Sequence, residues 1–228
     1  MGITLNQYSR EVKDSLAKYI RDKDSDGRYT ELILGLYEEA AEVTSPIRRS
    51  IKGNYHEENI DLNHLGEEIG DCLWYITQIS IQLPDCDIQQ IALDNLKKTH
   101  LNRMKQLNLE KDMSINEYVN GVIDTYRDNL PDSKQEKARF FCLGLIKEIG
   151  KVSELFGEHR IDGNILNIYK VEEKLGDALW YLSAISETYS LDLEQIASSS
   201  IEKVHGRYNA DGTVKNKNEE KEQSGAEL

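Results

Sequence analysis

The strongest constraint on this chain is that it is written twice. Residues 70–75 read Gly-Asp-Cys-Leu-Trp-Tyr and residues 176–181 read Gly-Asp-Ala-Leu-Trp-Tyr, running on to Ile79-Ser80 and Ile185-Ser186. The two tryptophans of the chain, Trp74 and Trp180, fill the same slot of that motif. Such self-similarity is the mark of a repeated unit. The match extends outward. Leu34-Gly35-Leu36 answers Leu143-Gly144-Leu145, residues 4–8 answer 114–118, and Asp87-Ile88 with Ile91-Ala92 answers Asp192-Leu193 with Ile196-Ala197. The offset drifts from 110 (4 to 114) to 105 (87 to 192), so the copies differ by small loop insertions.

Each copy reads as four helices. In the first they cover about 5–21, 28–51, 62–82 and 87–107; in the second about 114–127, 133–156, 169–188 and 192–207. Leu32, Leu36, Ala40 and Val43 recur at helical spacing. Thr4 with Gln7 and Ser114 with Glu117 have the capping-box form that starts a helix. Pro46 is expected to kink or interrupt the second helix, and the third stops before Pro84. A loop is expected over 52–59, around Gly53, and a polar, disordered tail over 209–228. Strand alternation is absent. The expected architecture is all-α: a unit over 1–109, a second over 110–208, and two four-helix repeats packed as an intramolecular pseudo-dimer bundle.

Charge narrows the partners. A net charge of −13 repels duplex nucleic acid and anionic membranes. A phosphate-bearing ligand stays open, because divalent cations invert the local field. Three cysteines, Cys72, Cys86 and Cys142, match neither a zinc pattern nor a disulfide framework. With no long apolar stretch and no apolar signal-peptide core, the expected setting is the cytoplasm.

The chemistry lies in carboxylates. Glu39 and Glu42 are three apart on the second helix, and Glu68 and Asp71 three apart on the third, so each pair points one way. Flanking Leu36, Val43, Leu65, Ile69 and Leu73 put them near a packing seam. Carboxylates facing across a seam must share protons or bind a cation. Hard ions with oxygen ligands, Mg²⁺ above all, suit them and equip a site for phosphoryl chemistry. In the second copy Glu39 and Asp71 persist as Glu148 and Asp177. Glu38, Glu42 and Glu68, however, become Lys147, Lys151 and Lys174. A lysine among Glu148, Glu173 and Asp177 would cancel the charge that a metal cancels in copy one, so the second copy is expected to bind no catalytic metal.

These residues resemble the MazG-like family of all-α nucleoside triphosphate pyrophosphohydrolases. Its pattern is Glu-Glu-x-x-Glu, a gap, then Glu-x-x-Asp before an apolar helix. Here Glu38-Glu39-Ala40-Ala41-Glu42 is followed, 25 residues on (43–67), by Glu68-Ile69-Gly70-Asp71-Cys72-Leu73-Trp74-Tyr75. The resemblance implies Mg²⁺-dependent hydrolysis of an NTP or dNTP between the α and β phosphates to the monophosphate and pyrophosphate, with Mn²⁺ able to substitute. It implies Glu39, Glu42, Glu68 and Asp71 as metal ligands, and Glu38 as a further ligand or the group that activates water, so that Glu38 and Glu39 form the catalytic pair. It offers Tyr75 for the sugar or base, and Asn95 and Lys98, on the family's Asn-x-x-Lys pattern, for the nucleotide. The following Arg position holds Asn102, with Arg103 one step later. Copy two has Lys203 and Arg207 in the matching places but Ser200 for the Asn, so the copies are expected to share one substrate site. Ordinary members carry one copy and dimerise; here the second copy stands in for the partner, and two such chains can pair again.

Arg48, Arg49 and Lys52 read either as a phosphate clamp or as a solvated basic turn. His56, His64, His100, His159 and His205 show no ligand spacing and read as surface or helix residues. The rival functional reading is a non-catalytic nucleotide-sensing or regulatory helical protein. A plain interaction module is a third.

Overall fold

The computed structural model describes residues 2–19, 25–50, 60–99, 112–126, 130 and 133–206. Eight helices account for nearly all of them: α1 (Leu5–Tyr19), α2 (Ser25–Ser50), α3 (Leu62–Gln82), α4 (Ile88–Thr99), α5 (Ile115–Tyr126), α6 (Lys134–Asp162), α7 (Ile168–Thr188) and α8 (Leu193–Gly206). The protein is all-α. Its single extended contact among the described residues is an antiparallel bridge between Thr4 and Ser114. None of the described helices is long and apolar enough to cross a membrane. The expected loop over 52–59, the boundary at 109/110 and the tail over 209–228 lie outside the described residues.

Local chemistry sets the helix starts. Thr4 Oγ1 accepts from Gln7 N at 3.1 Å while Thr4 N donates to Gln7 Oε1 at 2.9 Å. Ser114 and Glu117 repeat the box at 3.1 and 2.8 Å. Each box satisfies two otherwise orphaned amide groups. Asp61 caps α3 by accepting from Asn63 N and His64 N. Two expected ends move. Pro46 does not interrupt α2, which continues to Ser50. Losing one amide donor is offset because Ile47 beyond the proline is buried in the core, and the Ser50 hydroxyl donates back to the Ile47 carbonyl at 2.7 Å. α6 runs six residues past position 156 and stops where Gly163, at φ 72°, takes the left-handed conformation that glycine adopts without strain.

The apolar stripes meet in one core. Leu32, Leu36, Ala40 and Val43 of α2 are fully buried, as their spacing predicts, together with Leu65, Ile69, Ile76 and Ile79 of α3. α2 packs on α3 and α6 on α7; α2 also meets α6, and α3 meets α7. The remaining helices cross over: α4 lies on α7, and α8 on α3. The motif glycines permit those crossings. A Cβ on Gly70 would stand 3.0 Å from Ile196 Cγ2, and one on Gly176 would stand 3.1 Å from Asn95 Cβ. The tryptophans lock the third helix of each half to its first: Trp74 Nε1 donates to Ser15 Oγ at 3.0 Å, and Trp180 Nε1 to Thr125 Oγ1 at 2.9 Å.

Gly35 and Gly144 are matched in the same way. A Cβ on Gly35 would enter the Tyr75 ring, and one on Gly144 the Tyr181 ring. Tyr75 thus packs in the α2–α3 seam, edge-on to Trp74 at 4.9 Å between ring centroids. Its counterpart Tyr181 does the same against Gly144 in the other half. Gly35→Ala is expected to cost about 1–3 kcal/mol of stability through this overpacking. Chemical denaturation reads it out, and an unchanged midpoint would mean that the ring moves aside freely.

Candidate active site

The first carboxylate centre forms where α2 crosses α3. Oxygen atoms of Glu39, Glu68 and Asp71 lie within 4.8 Å of one another. Ligand atoms of Glu42, His64 and Glu68 form a second such group. Glu68 belongs to both, so the groups adjoin. Glu68 is 8 % exposed, held by the buried face of α3, while Glu42 lies toward solvent. Glu38 is exposed and outside both groups.

Burial, a hydrogen bond with Glu68 and the negative charge of Asp71 push the Glu39 carboxyl up to about 8. The centre therefore keeps a proton where isolated carboxylates would keep none. An oxygen-rich group of like charges, partly buried and adjoining open grooves, suits a hard divalent cation in donor type and charge. His64 was not legible as part of it. Its Nδ1 lies 3.1 Å from Glu68 Oε1, one helical turn away. The signal was the i,i+4 spacing to Glu68, masked by the lack of a second histidine.

Two grooves flank the centre. One, of about 530 Å³, is lined by Glu42, His64, Arg48, Arg49, Ser45 and Pro46. This places Arg48 and Arg49 in the same groove as Glu42 and His64; Lys52 lies outside the described residues. The other, of about 590 Å³, runs between α3 and α8 past Gly70, Asp71, Ser199, Ser200 and Lys203. Lys203 Nζ lies 2.5 Å from Asp71 Oδ2. The second half thus supplies a cation to the first centre.

The exchange is reciprocal. Asn95 and Lys98 do not join the Glu39–Glu68–Asp71 group. Crossing to α7, Asn95 Nδ2 donates to Asp177 Oδ1 at 3.1 Å, and Lys98 Nζ meets Asp177 Oδ2 at 2.8 Å and Glu173 Oε1 at 2.7 Å. They line a cavity of about 300 Å³. Arg207 lies outside the described residues.

The second centre is filled by lysines. Lys174 Nζ stands 3.3 Å from Asp177, 3.4 Å from Glu173 and 3.6 Å from Glu148, which is 3 % exposed. Lys147 adds a contact to Glu148 at 2.6 Å. Burial opposes the charge on Lys174 and Lys98, but pairing with Asp177 outweighs it and raises both. Lys98 likewise holds Glu173 low. Lys151 takes no part: it pairs with Glu154 along its own helix at 2.6 Å, on the surface. Among the described residues no metal-binding group of carboxylates forms there.

Residues 28–107 match the family model of the MazG nucleotide pyrophosphohydrolase domain, a stretch that covers most of α2, all of α3 and α4, and the carboxylates of the first centre. No curated protein and no solved structure matches the chain.

Proposed function

We propose, from a chain whose residues 28–107 match the model of the MazG nucleotide pyrophosphohydrolase domain, that the first centre hydrolyses a nucleoside triphosphate to the monophosphate and pyrophosphate with Mg²⁺. The carrying observation is the set of carboxylates gathered from α2 and α3 beside two grooves of nucleotide scale. Glu39, Glu42, Glu68 and Asp71, with His64, are the residues that would hold the cations. Bound there, Mg²⁺ or Mn²⁺ would polarise the phosphate, lower the pKa of a water and neutralise the leaving group.

The chain's own residues divide the remaining work. Arg48 and Arg49 offer guanidinium groups to the β and γ phosphates. Lys203, paired with Asp71 in the free protein, is placed to turn toward a phosphate once the cation satisfies Asp71. Glu39, the group that holds a proton, would give it up to serve as a ligand when the cation binds, leaving Glu38 to take the proton of the attacking water. Glu38 is next to it on the solvent side, which suits proton release more than ligation.

We further read the two halves as a tandem duplication forming an intramolecular pseudo-dimer. Helix-for-helix correspondence, the crossed α4 and α8, and the paired tryptophan bonds support it. Asn95 and Lys98 then belong to the lysine-filled copy as an internal counterion relay. That filled copy also favours a second reading, a nucleotide sensor without turnover.

Pyrophosphate release from a panel of ribo- and deoxyribonucleoside triphosphates separates the two. Chelator-sensitive release together with a nucleoside monophosphate is expected. Nucleotide binding with no release from any member of the panel would favour the sensor.

A further inference from the structure

Glu68 belongs to two groups of ligand atoms, and they differ in chemistry. Glu39, Glu68 and Asp71 offer oxygen alone, whereas the second group joins Glu42 and Glu68 to the imidazole of His64. His64 and Glu68 stand one turn apart on α3, the spacing by which residues of one helix can share an ion. His64 Nδ1 lies 3.1 Å from Glu68 Oε1. Two atoms each about 2.1 Å from a common ion are about 3 Å apart when they subtend a right angle, so this pair already has ligand spacing. Glu42 approaches from α2, and the three ligand atoms all fall within 4.8 Å of one another. Glu42 and His64 are exposed and line the groove of about 530 Å³, so an ion held there keeps positions open to water.

The second half treats the two groups differently. Helices α3 and α7 align from their capping residues, Asp61 and Asn167, so His64 answers Lys170. Glu42 and Glu68 answer Lys151 and Lys174. Every ligand of the mixed group is therefore a lysine in the second half, while Glu39 and Asp71 persist there as Glu148 and Asp177. Unrelated surface positions have no reason to change to the same cation together. Three positions that hold one ion do.

Donor chemistry sets the ion. Mg²⁺ takes oxygen ligands and gives up its waters reluctantly. Imidazole suits first-row transition metals, and affinity for a mixed nitrogen and oxygen site rises from Mn²⁺ toward Zn²⁺. We propose that Glu42, His64 and Glu68 form a separate cation position that takes a transition-metal ion of the Mn²⁺ to Zn²⁺ series in preference to Mg²⁺. It rests on the metal reading of the first centre given above, in which Glu39, Glu68 and Asp71 hold Mg²⁺.

The test reads metal and not turnover. Untagged full-length protein, stripped with chelator, would be dialysed against Zn²⁺ or Mn²⁺ in a large excess of Mg²⁺. Retention of one transition-metal ion per chain is expected, and pulsed electron paramagnetic resonance of the bound Mn²⁺ should show coupling to an imidazole nitrogen. His64→Gln should lose that coupling. Its Zn²⁺ affinity should fall at least about 100-fold, since losing even an outer-shell partner of a ligand costs about 10- to 100-fold. Mg²⁺ binding through the three carboxylates should stay. The melting midpoint in chelator should hardly move, because the exposed His64–Glu68 pair contributes little to stability. Bound Mn²⁺ without nitrogen coupling, displacement of Zn²⁺ by excess Mg²⁺, or unchanged Zn²⁺ affinity in His64→Gln would each overturn the proposal. The carboxylate reading survives those results as long as Mg²⁺ binds; if no divalent ion binds the wild type, both fall.

Discussion

Glu68→Lys is expected to abolish divalent cation binding and nucleotide turnover while making the metal-free protein more stable. The prediction copies what the second half already shows. Lys174 holds the position of Glu68, and its ammonium group stands 3.3–3.6 Å from Asp177, Glu173 and Glu148. The first centre offers the same acidic surroundings: Glu39, Glu67 and Asp71 match Glu148, Glu173 and Asp177, and Lys203 already occupies the place of Lys98. A lysine there would relieve the repulsion that keeps Glu39 protonated and remove the carboxylate shared by both ligand groups. Metal-ion catalysis is worth several kcal/mol, so turnover should fall by on the order of 10³ or more. The midpoint of thermal unfolding in chelator should rise by a few degrees, about the effect of 1 kcal/mol in a chain of this size. Mn²⁺ titration and melting curves on the same protein read both. Retained turnover would remove Glu68 from the ligand set. Lost turnover with a lower melting midpoint would mean that the lysine finds no place, and the counterion account of the second half would fail.

The elements were far more legible in the sequence than the site. Capping boxes at Thr4 and Ser114, apolar spacing through Leu32–Val43 and the Pro84 stop are local signals, and the helices obey them to within a few residues. Pro46 misled because burial of Ile47 beyond it is a tertiary effect. The carboxylates of Glu39, Glu68 and Asp71 could be placed together because i,i+3 spacing survives folding. Three features could not. His64 joins through a spacing that surface helices also show. Lys151 looked equivalent to Lys174, but a side chain three positions from Glu154 finds its partner on its own helix. Asn95 and Lys98 follow Glu68 and Asp71 in sequence, yet serve the other half because α4 crosses over. Nothing in a linear pattern says which of two like surfaces a helix will cover.

The remaining large effect is electrostatic and runs with pH. Glu39 has its carboxyl pushed up to about 8, chiefly by burial and then by Glu68 and Asp71, against 4.5 for a free glutamate. Between those values the folded, metal-free protein binds a proton that the unfolded chain does not. The stability linked to Glu39 is therefore full below about 4.5 and is lost as pH rises through 8. Cations reverse the sign. They require the deprotonated carboxylate, so binding Mg²⁺ at pH 7 should release about one proton, and affinity should rise by up to about tenfold per pH unit until it levels off near pH 8. Melting curves in chelator should thus slope downward from pH 5 to 8, and saturating Mg²⁺ should flatten them. Calorimetric titration in two buffers of different ionisation enthalpy counts the proton directly. Glu39→Gln serves as the control, because an uncharged amide has nothing to release: both the slope and the proton should disappear. Should the slope persist in Glu39→Gln, it would belong to the general self-repulsion of a chain with a net charge of −13, and Glu39 would not be the proton-holding member of the centre.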